Sequence, residues 1–462
     1  MVRIFRRYVQ TWLLALALCE ASILLAAYYT GVFARFGDIG QFGHELQLHA
    51  TSAVSFVIIL LVAMYSFGAY HSDALVDARV MLTRVGVSFL AGLAAVATVQ
   101  YMLPVITFWR SALLVAMATG FIGIVGVRFL CLPILRKPAF RRRVVVLGTG
   151  ERAGRIAELE AGQAAKTFTC VGFVWTGDNE IKIAPERVVR GAEAIARLVK
   201  EHQASEIVVA LQDRRNELPV QALVEQKLSG IEVLEFSTFW ERQTGRIDLD
   251  TVYPSWLIFS DGFGGGRWRA LTKRLFDVVA SGAVFIFVLP LYLLSALAVR
   301  LGSQGPVYYR QERVGLHGRP FRLLKFRSMR TDAEKDGVPR WAASNDQRIT
   351  RIGRFMRMTR LDELPQVFNV LKGDMSFIGP RPERPYFVDQ LAERIPYYRE
   401  RHRVKPGISG WAQINYPYGA SVEDAKHKLE YDLYYAKNYT LAFDLMIFLQ
   451  TIRVVLWPSE VR

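Results

Sequence analysis

Apolar residues in this chain gather into long blocks instead of alternating with polar ones. Thr11 to Tyr29, Thr51 to Tyr70, Val80 to Leu103 and Phe108 to Leu132 are the first such blocks. Each is close to the roughly 20 residues that an α-helix needs to cross a bilayer, so residues 1–136 read as a transmembrane region of four helices. Arg84 and Arg128 interrupt the third and fourth blocks near their predicted ends, where a long side chain reaches the headgroups. The first block is too long for a cleaved signal peptide, and no small-x-small site follows it. A fifth block, Val278 to Val299, stands in the second half with Leu289-Pro290 at its centre.

Charge orients these blocks. The chain is 52% apolar yet carries a net charge of +16. With the apolar residues in blocks, that excess points to a membrane surface and anionic substrates and away from nucleic acid. Arg3, Arg6 and Arg7 precede the first block; Arg136, Lys137, Arg141, Arg142 and Arg143 follow the fourth. By the positive-inside rule the N-terminus and everything after about residue 136 are cytoplasmic. The loop between the first two segments has only Arg35 against Asp38 and Glu45. Both flanks of the fifth block are basic: Arg267, Arg269, Lys273 and Arg274 before it, Arg300, Arg310 and Arg313 after it. This suggests a re-entrant helix over about 275–300, kinked at Pro290; a kinked spanning helix is the alternative. Cys19, Cys131 and Cys170 are widely separated and suggest neither a disulfide framework nor a zinc site.

Between the apolar regions, residues 140–258 read as an α/β domain. Val144 to Leu147 is a buried parallel strand, followed by Gly148-Thr149-Gly150-Glu151-Arg152-Ala153-Gly154 and the helical pattern Ile156, Ala157, Leu159. Strand, glycine turn and helix open a Rossmann unit. Thr169–Trp175, Glu206–Leu211 and Ile231–Phe236 are further strand candidates. The ribose-binding acid expected at the end of the second strand is poorly matched by Asp178, and no Tyr-x-x-x-Lys pair occurs. A structural or regulatory role is therefore favoured over a bound dinucleotide. Asp261 to Gly266 reads as a flexible linker.

The final domain, 267–462, holds most of the candidate chemistry. Gly305–Gly315 and Phe321–Arg330 read as strands around a glycine turn at 315–318. Lys325 and Arg327 alternate with Leu324 and Phe326, so the cations share one face, either solvated or turned to phosphate. Asp362 and Glu363 lie among Arg357 and Arg360, just before the apolar run Val367, Phe368, Val370, Leu371. Adjacent carboxylates can divide labour, one as nucleophile or base and the other holding a metal. Arginines at that distance suit a polyphosphate. The plainer reading is a capped helix start with Pro365 in its first turn. Leu441, Leu445, Phe448, Leu449 and Ile452 have helical spacing, fitting an amphipathic helix on the membrane or a core helix.

Several motifs in this domain, in order, resemble one family. They are Lys325-Phe326-Arg327-Ser328-Met329, Leu361-Asp362-Glu363-Leu364-Pro365-Gln366, Asn369 to Ser376, Gly379-Pro380-Arg381-Pro382-Glu383 and Lys405 to Trp411. They resemble the bacterial polyprenyl-phosphate sugar-1-phosphate transferases, the monotopic phosphoglycosyl transferases, over roughly residues 268 to 462. The upstream layout is similar to the large form of that family. The resemblance implies a membrane protein whose α+β catalytic domain carries a re-entrant helix broken near Pro290, although Leu289 stands where some smaller members have serine. It implies transfer of a sugar 1-phosphate from a UDP-sugar to undecaprenyl phosphate with release of UMP, at the cytoplasmic face of the bacterial inner membrane. Asp362 would attack the sugar-linked phosphate, Glu363 would help bind Mg²⁺, and Arg357 and Arg381 would grip phosphate.

Other classes are less well supported. A membrane-anchored, nucleotide-sugar-modifying oxidoreductase rests on the glycine turn after residue 147 alone. A non-catalytic scaffold leaves the dyad unexplained. The sugar and any homo-oligomer cannot be read from the chain.

Overall fold

The computed structural model describes residues 2–4, 7–9, 11–36, 50–70, 78–103, 108–135, 141–162, 168–177, 181–212, 218–252, 262–263, 266–331, 333, 348–417, 419 and 421–456. Arg6, Arg136, Lys137, Asp178, Asp261, Gly264 and Gly265, invoked above, and the loop with Asp38 and Glu45 lie outside them. Apart from its extreme N-terminus, the chain divides into two units, Tyr8–Asp248 and Leu249–Arg462.

The chain opens with a short ribbon, β1 (Val2–Ile4) with β2 (Arg7–Val9). Four apolar helices follow: α1 (Thr11–Phe36), α2 (Ala50–Ser66), α3 (Ala78–Met102) and α4 (Arg110–Leu135). Leu14–Phe36, Ala78–Met102 and Arg110–Cys131 are long and apolar enough to cross a membrane; α2 is apolar but has 17 residues. Leu24, Phe56, Leu60, Met81, Val85 and Ile124 form a fully buried seam between the helices. At Gly31 a Cβ would stand 2.2 Å from the Ala112 carbonyl oxygen, so only glycine lets α1 approach α4 this closely.

The two bundle arginines do not reach outward as their positions suggested. Arg128 is 2% exposed, and its Nε donates to Glu20 Oε1 at 2.6 Å. Its Nη1 donates to the Ala69 carbonyl, and the Tyr70 hydroxyl donates to Glu20 Oε2. Arg84, also buried, donates to the Gly68 carbonyl at 3.0 Å. The turn after α2 aims its carbonyls inward and Glu20 supplies a counter-charge, so both guanidiniums find partners inside the bundle.

The rest of the first unit is a five-stranded, wholly parallel sheet in the order β5-β4-β3-β6-β7: β3 (Arg142–Leu147), β4 (Phe168–Trp175), β5 (Val188–Arg190), β6 (Glu206–Val209) and β7 (Glu232–Glu235). Helices α5 (Glu151–Ala161), α6 (Ala194–His202), α7 (Val220–Leu228) and α8 (Phe236–Thr244) connect or follow the strands. Val144 and Val146 face one apolar core while Val145 and Leu147 face the other, as a strand covered on both sides requires. The glycine turn lies where strand order reverses. Gly148 has φ +116°, and Arg152 Nη1, in the first turn of α5, reaches the Leu211 carbonyl after β6 at 2.7 Å.

The second unit opens with α9 (Arg267–Gly302), a 36-residue helix containing Pro290. Ahead of it, Gly262 has φ +133° and abuts the Lys437 carbonyl, so this part of the expected linker is packed. An antiparallel hairpin follows, β8 (Tyr308–Val314) with β9 (Pro320–Phe326). Next come α10 (Arg351–Met358), α11 (Gln366–Lys372), β10 (Ser376–Ile378), α12 (Pro385–Arg394), β11 (Gly407–Ser409), α13 (Trp411–Asn415), α14 (Val422–Asn438) and α15 (Leu441–Leu456). On α15 the expected stripe is divided: Leu441, Leu445 and Ile452 are exposed, while Phe448 packs edge-on against Phe276 and Phe377; Phe443, Asp444 and Ile447 form the buried face. Tyr434 and Tyr435 pack inside.

Both ends of α9 are tied to this one unit. Lys273 Nζ donates to Asp444 Oδ2 at 2.8 Å, to Tyr435 and to the Ile378 carbonyl. Arg274 caps α11 through the Val370 and Leu371 carbonyls, and Asp277 accepts from Ser376 and the Phe377 amide. Beyond Pro290, Tyr292 and Val299 pack with Phe326 and Met356. Between these anchors Ile286, Phe287, Leu293, Leu294 and Leu297 are exposed.

Candidate active site

The dyad lies in a single 3₁₀ turn, Leu361–Glu363, between α10 and α11. Arg360 turns the chain into it with φ +57°, a left-handed conformation unusual for a non-glycine residue. The helix-start reading thus describes the backbone, yet α11 has no side-chain cap, so neither carboxylate is spent on capping it.

Glu363 is held by two cations. Its Oε1 accepts from Lys325 Nζ at 3.1 Å and from Arg381 Nη2 at 2.6 Å. Burial alone would raise its pKa, but Arg381 and Lys325 hold it well below the usual carboxylate range. Burial favours the neutral amine at Lys325, against the pull of Glu363. Asp362 is different. It is 8% exposed, and its carboxylate makes no hydrogen bond or ion pair with any described residue. Burial and the neighbouring Glu363 charge raise its pKa, opposed by Lys325, Arg357 and Arg381. Two adjacent acids are thereby driven apart, one fixed as an anion and one left free and more basic.

Three backbone devices hold these side chains. Asn369 on α11 accepts from the Leu324 amide at 2.9 Å and donates to the Arg322 carbonyl at 2.8 Å, fixing β9, and with it Lys325, beside the dyad turn. The two glycine motifs interlock as β10 pairs in parallel with β11: Gly379 N donates to the Ser409 carbonyl and Gly407 N to the Pro380 carbonyl. A Cβ on Gly379 would stand 2.3 Å from the Lys405 carbonyl oxygen, which explains glycine in both motifs. The loop that presents Arg381 is then gripped by the Arg401–Asp432 pair, 2.6 Å apart, with Arg401 also donating to the Arg381 carbonyl, and by Arg313, which donates to the Pro382 carbonyl.

Asp362, Glu363, Lys325 and Arg381 therefore come together, with Arg357 close enough to lower the Asp362 pKa. Arg327 does not join them. It is 6% exposed, and its guanidinium is spent on the Ser303 and Gln304 carbonyls just past α9. Pro290 lies within α9, away from the dyad turn in sequence. Sequence reasoning missed Asn369, Arg401 and Asp432 as supports. Arg401 sits in the charge-rich run Tyr398–Arg403, which reads as a solvated surface, and no spacing rule ties it to Asp432.

The donor set also bears on the divalent ion. Among the described residues no cluster of three or more His, Cys, Asp or Glu stands ready as an all-protein site. Mg²⁺ does not need one. It is usually held by one or two carboxylates, waters and substrate phosphates. Asp362 and the Oε2 of Glu363, which bonds none of the described residues, fit that role.

Residues 268–458 match the bacterial sugar transferase family, and residues 65–228 match a CoA-binding domain family. Over 229 residues the chain is 44% identical to the Aeromonas hydrophila UDP-N-acetylgalactosamine-undecaprenyl-phosphate N-acetylgalactosaminephosphotransferase, covering 50% of this chain and 53% of that protein. Over 184 residues it is 44% identical to the Escherichia coli UDP-glucose:undecaprenyl-phosphate glucose-1-phosphate transferase, 39% of each chain. A Caulobacter vibrioides protein of that same description is 42% identical over 184 residues, 39% of this chain and 68% of that one. The matched region thus spans about half or less of the first two relatives and two thirds of the third.

Proposed function

This chain belongs to the bacterial sugar transferases, the polyprenyl-phosphate sugar-1-phosphate transferases, and from that premise we propose that it transfers a sugar 1-phosphate from a UDP-sugar to undecaprenyl phosphate. The observation that carries the reading is the divided dyad: Glu363 locked by Lys325 and Arg381 beside an Asp362 carboxylate with no hydrogen-bond or ion-pair partner among the described residues.

In this scheme Asp362 attacks the phosphorus that bears the sugar. A carboxylate oxygen–phosphorus bond forms, the bond to the UMP oxygen breaks, and UMP leaves with that electron pair. A phosphate oxygen of undecaprenyl phosphate then attacks the same phosphorus and releases Asp362, giving the lipid diphosphate sugar. A carboxylate nucleophile divides one difficult transfer into two easier ones. Arg357 and Arg381 lower the cost of bringing an anion to a diphosphate. Mg²⁺, held by Asp362 and Glu363, neutralises phosphate charge when bound. The relatives' names differ in their sugar, glucose in one and N-acetylgalactosamine in another, so the sugar is left to experiment.

The reading places α9 as a re-entrant helix. Its two ends bind the same folded unit, which favours both ends on one face of the membrane, and the apolar side chains between them are uncovered. The unit would then sit at the cytoplasmic face of the inner membrane, where the dyad meets the lipid phosphate at headgroup level. The four N-terminal helices would anchor the chain, and the Rossmann-like domain would serve a structural or regulatory role.

The test is UMP release by purified protein in nanodiscs with Mg²⁺, undecaprenyl phosphate and a panel of UDP-sugars. UMP from a donor, lost in Asp362→Asn, is expected. Full turnover by that variant would refute the covalent scheme, and silence from folded wild type would refute the activity.

A further inference from the structure

Gln366 is 3% exposed, yet its side-chain amide has no hydrogen-bond partner among the described residues. Most side-chain amides in folded proteins find a partner, and this one is not sealed off: its polar atoms are not among the fully enclosed ones that lack a bond, so a small ligand group can reach them. This one has a defined place. It opens α11, three residues after Glu363 and three before Asn369. Side chains three apart on a helical backbone share a face. The two neighbours on that face both turn to β9: Glu363 meets Lys325 Nζ at 3.1 Å, and Asn369 bonds the Leu324 amide and the Arg322 carbonyl. Asn369 shows how the chain satisfies an amide here. Gln366 carries the same group, one turn from the dyad, with no bond to any described residue.

We propose that Gln366 is a substrate-binding residue whose amide donates to the phosphoryl group being transferred. The proposal rests on the transferase reading above. The phosphorus must come into contact with Asp362 to react, so its oxygens are the part of the donor nearest the next turn of the same chain. Three cations, Lys325, Arg357 and Arg381, already act on the dyad. A neutral donor adds a directed hydrogen bond without further lowering the basicity of the attacking carboxylate.

The experiment uses the full chain in nanodiscs with each UDP-sugar that the wild type turns over. Gln366→Leu removes the amide at nearly constant size, Gln366→Glu replaces its donor with a charge, and Gln366→Asn keeps the amide on a shorter arm. Gln366→Leu is expected to lose about 10²-fold in kcat/KM, the scale of one lost oxyanion donor. Gln366→Glu should lose at least as much, and Gln366→Asn should recover part of the loss. Product inhibition by UMP, which lacks the transferred phosphoryl group, should not change, and the unfolding midpoint of Gln366→Leu should hold. Wild-type kcat/KM in a folded Gln366→Leu overturns the proposal, as does a loss that follows unfolding. A loss confined to one sugar also overturns it, by assigning the amide to the sugar. No UMP from wild type would instead defeat the transferase reading, so the two failures are distinguishable.

Discussion

Replacing Glu363 by Gln tests the central electrostatic argument, because it keeps the shape of the side chain and removes only its charge. Lys325, at 3.1 Å, and Arg381, at 2.6 Å, lose their anionic partner. The side chains of Glu363 and Lys325 are 12% and 18% exposed, and that of Arg381 is 33% exposed. Breaking a buried pair costs about 3–5 kcal/mol. Solvent screens part of the Arg381 share, which points to the lower end, about 3 kcal/mol. For a unit of this size that corresponds to a fall of about 6–12 °C in unfolding midpoint. The pH dependence has a definite sign. The Glu363 pKa is depressed in the folded state, so its stabilisation is present above its ordinary value of 4.5 and is lost as pH falls below it. The variant should lack that acid-side loss. Glu363 also raises the Asp362 pKa, so the acid limb of kcat/KM should move to lower pH in the variant. Thermal unfolding by intrinsic fluorescence and a pH profile of UMP release read both effects. Adding Lys325→Met should recover part of the lost stability, since it removes the stranded ammonium. An unchanged midpoint together with an unmoved acid limb would refute the reasoning.

Three further outcomes follow from the same contacts. Asp362→Asn should abolish UMP release yet raise the unfolding midpoint at neutral pH. A carboxyl whose folded pKa is raised stabilises only when protonated, and that contribution is lost as pH rises through its folded value. Lys273→Met strands the fully buried Asp444 and should cost about 3–5 kcal/mol, with partial recovery in Lys273→Met/Asp444→Leu, both read by thermal unfolding. Gly379→Ala places a Cβ 2.3 Å from the Lys405 carbonyl oxygen, so the β10–β11 pair should open; proteolysis in the Arg381 loop should quicken and UMP release should be lost.

Much of the architecture was legible along the chain because it rests on local pattern. Long apolar blocks predict helices from length alone, and β3 with its glycine turn and α5 follow from a buried run and a change of period. Asp362, Glu363 and Arg381 stand in motifs whose order carries a family resemblance. What the pattern could not supply was partner choice across long separations. Arg84 and Arg128 looked like headgroup anchors, and only folding revealed that Glu20 and the carbonyls after α2 lie inside the bundle. Lys325 and Arg327 are two residues apart on one strand, yet one meets Glu363 while the other clamps the chain past α9, because each answers to a different neighbour. Likewise, the sequence places Asp362 beside Glu363 but does not distinguish them. The division arises because Lys325 and Arg381, 38 and 18 residues away from Glu363, converge on it and not on Asp362. Local periodicity and turn chemistry depend on neighbours in sequence. Ion pairing and burial depend on neighbours in space, which only the tertiary structure assigns.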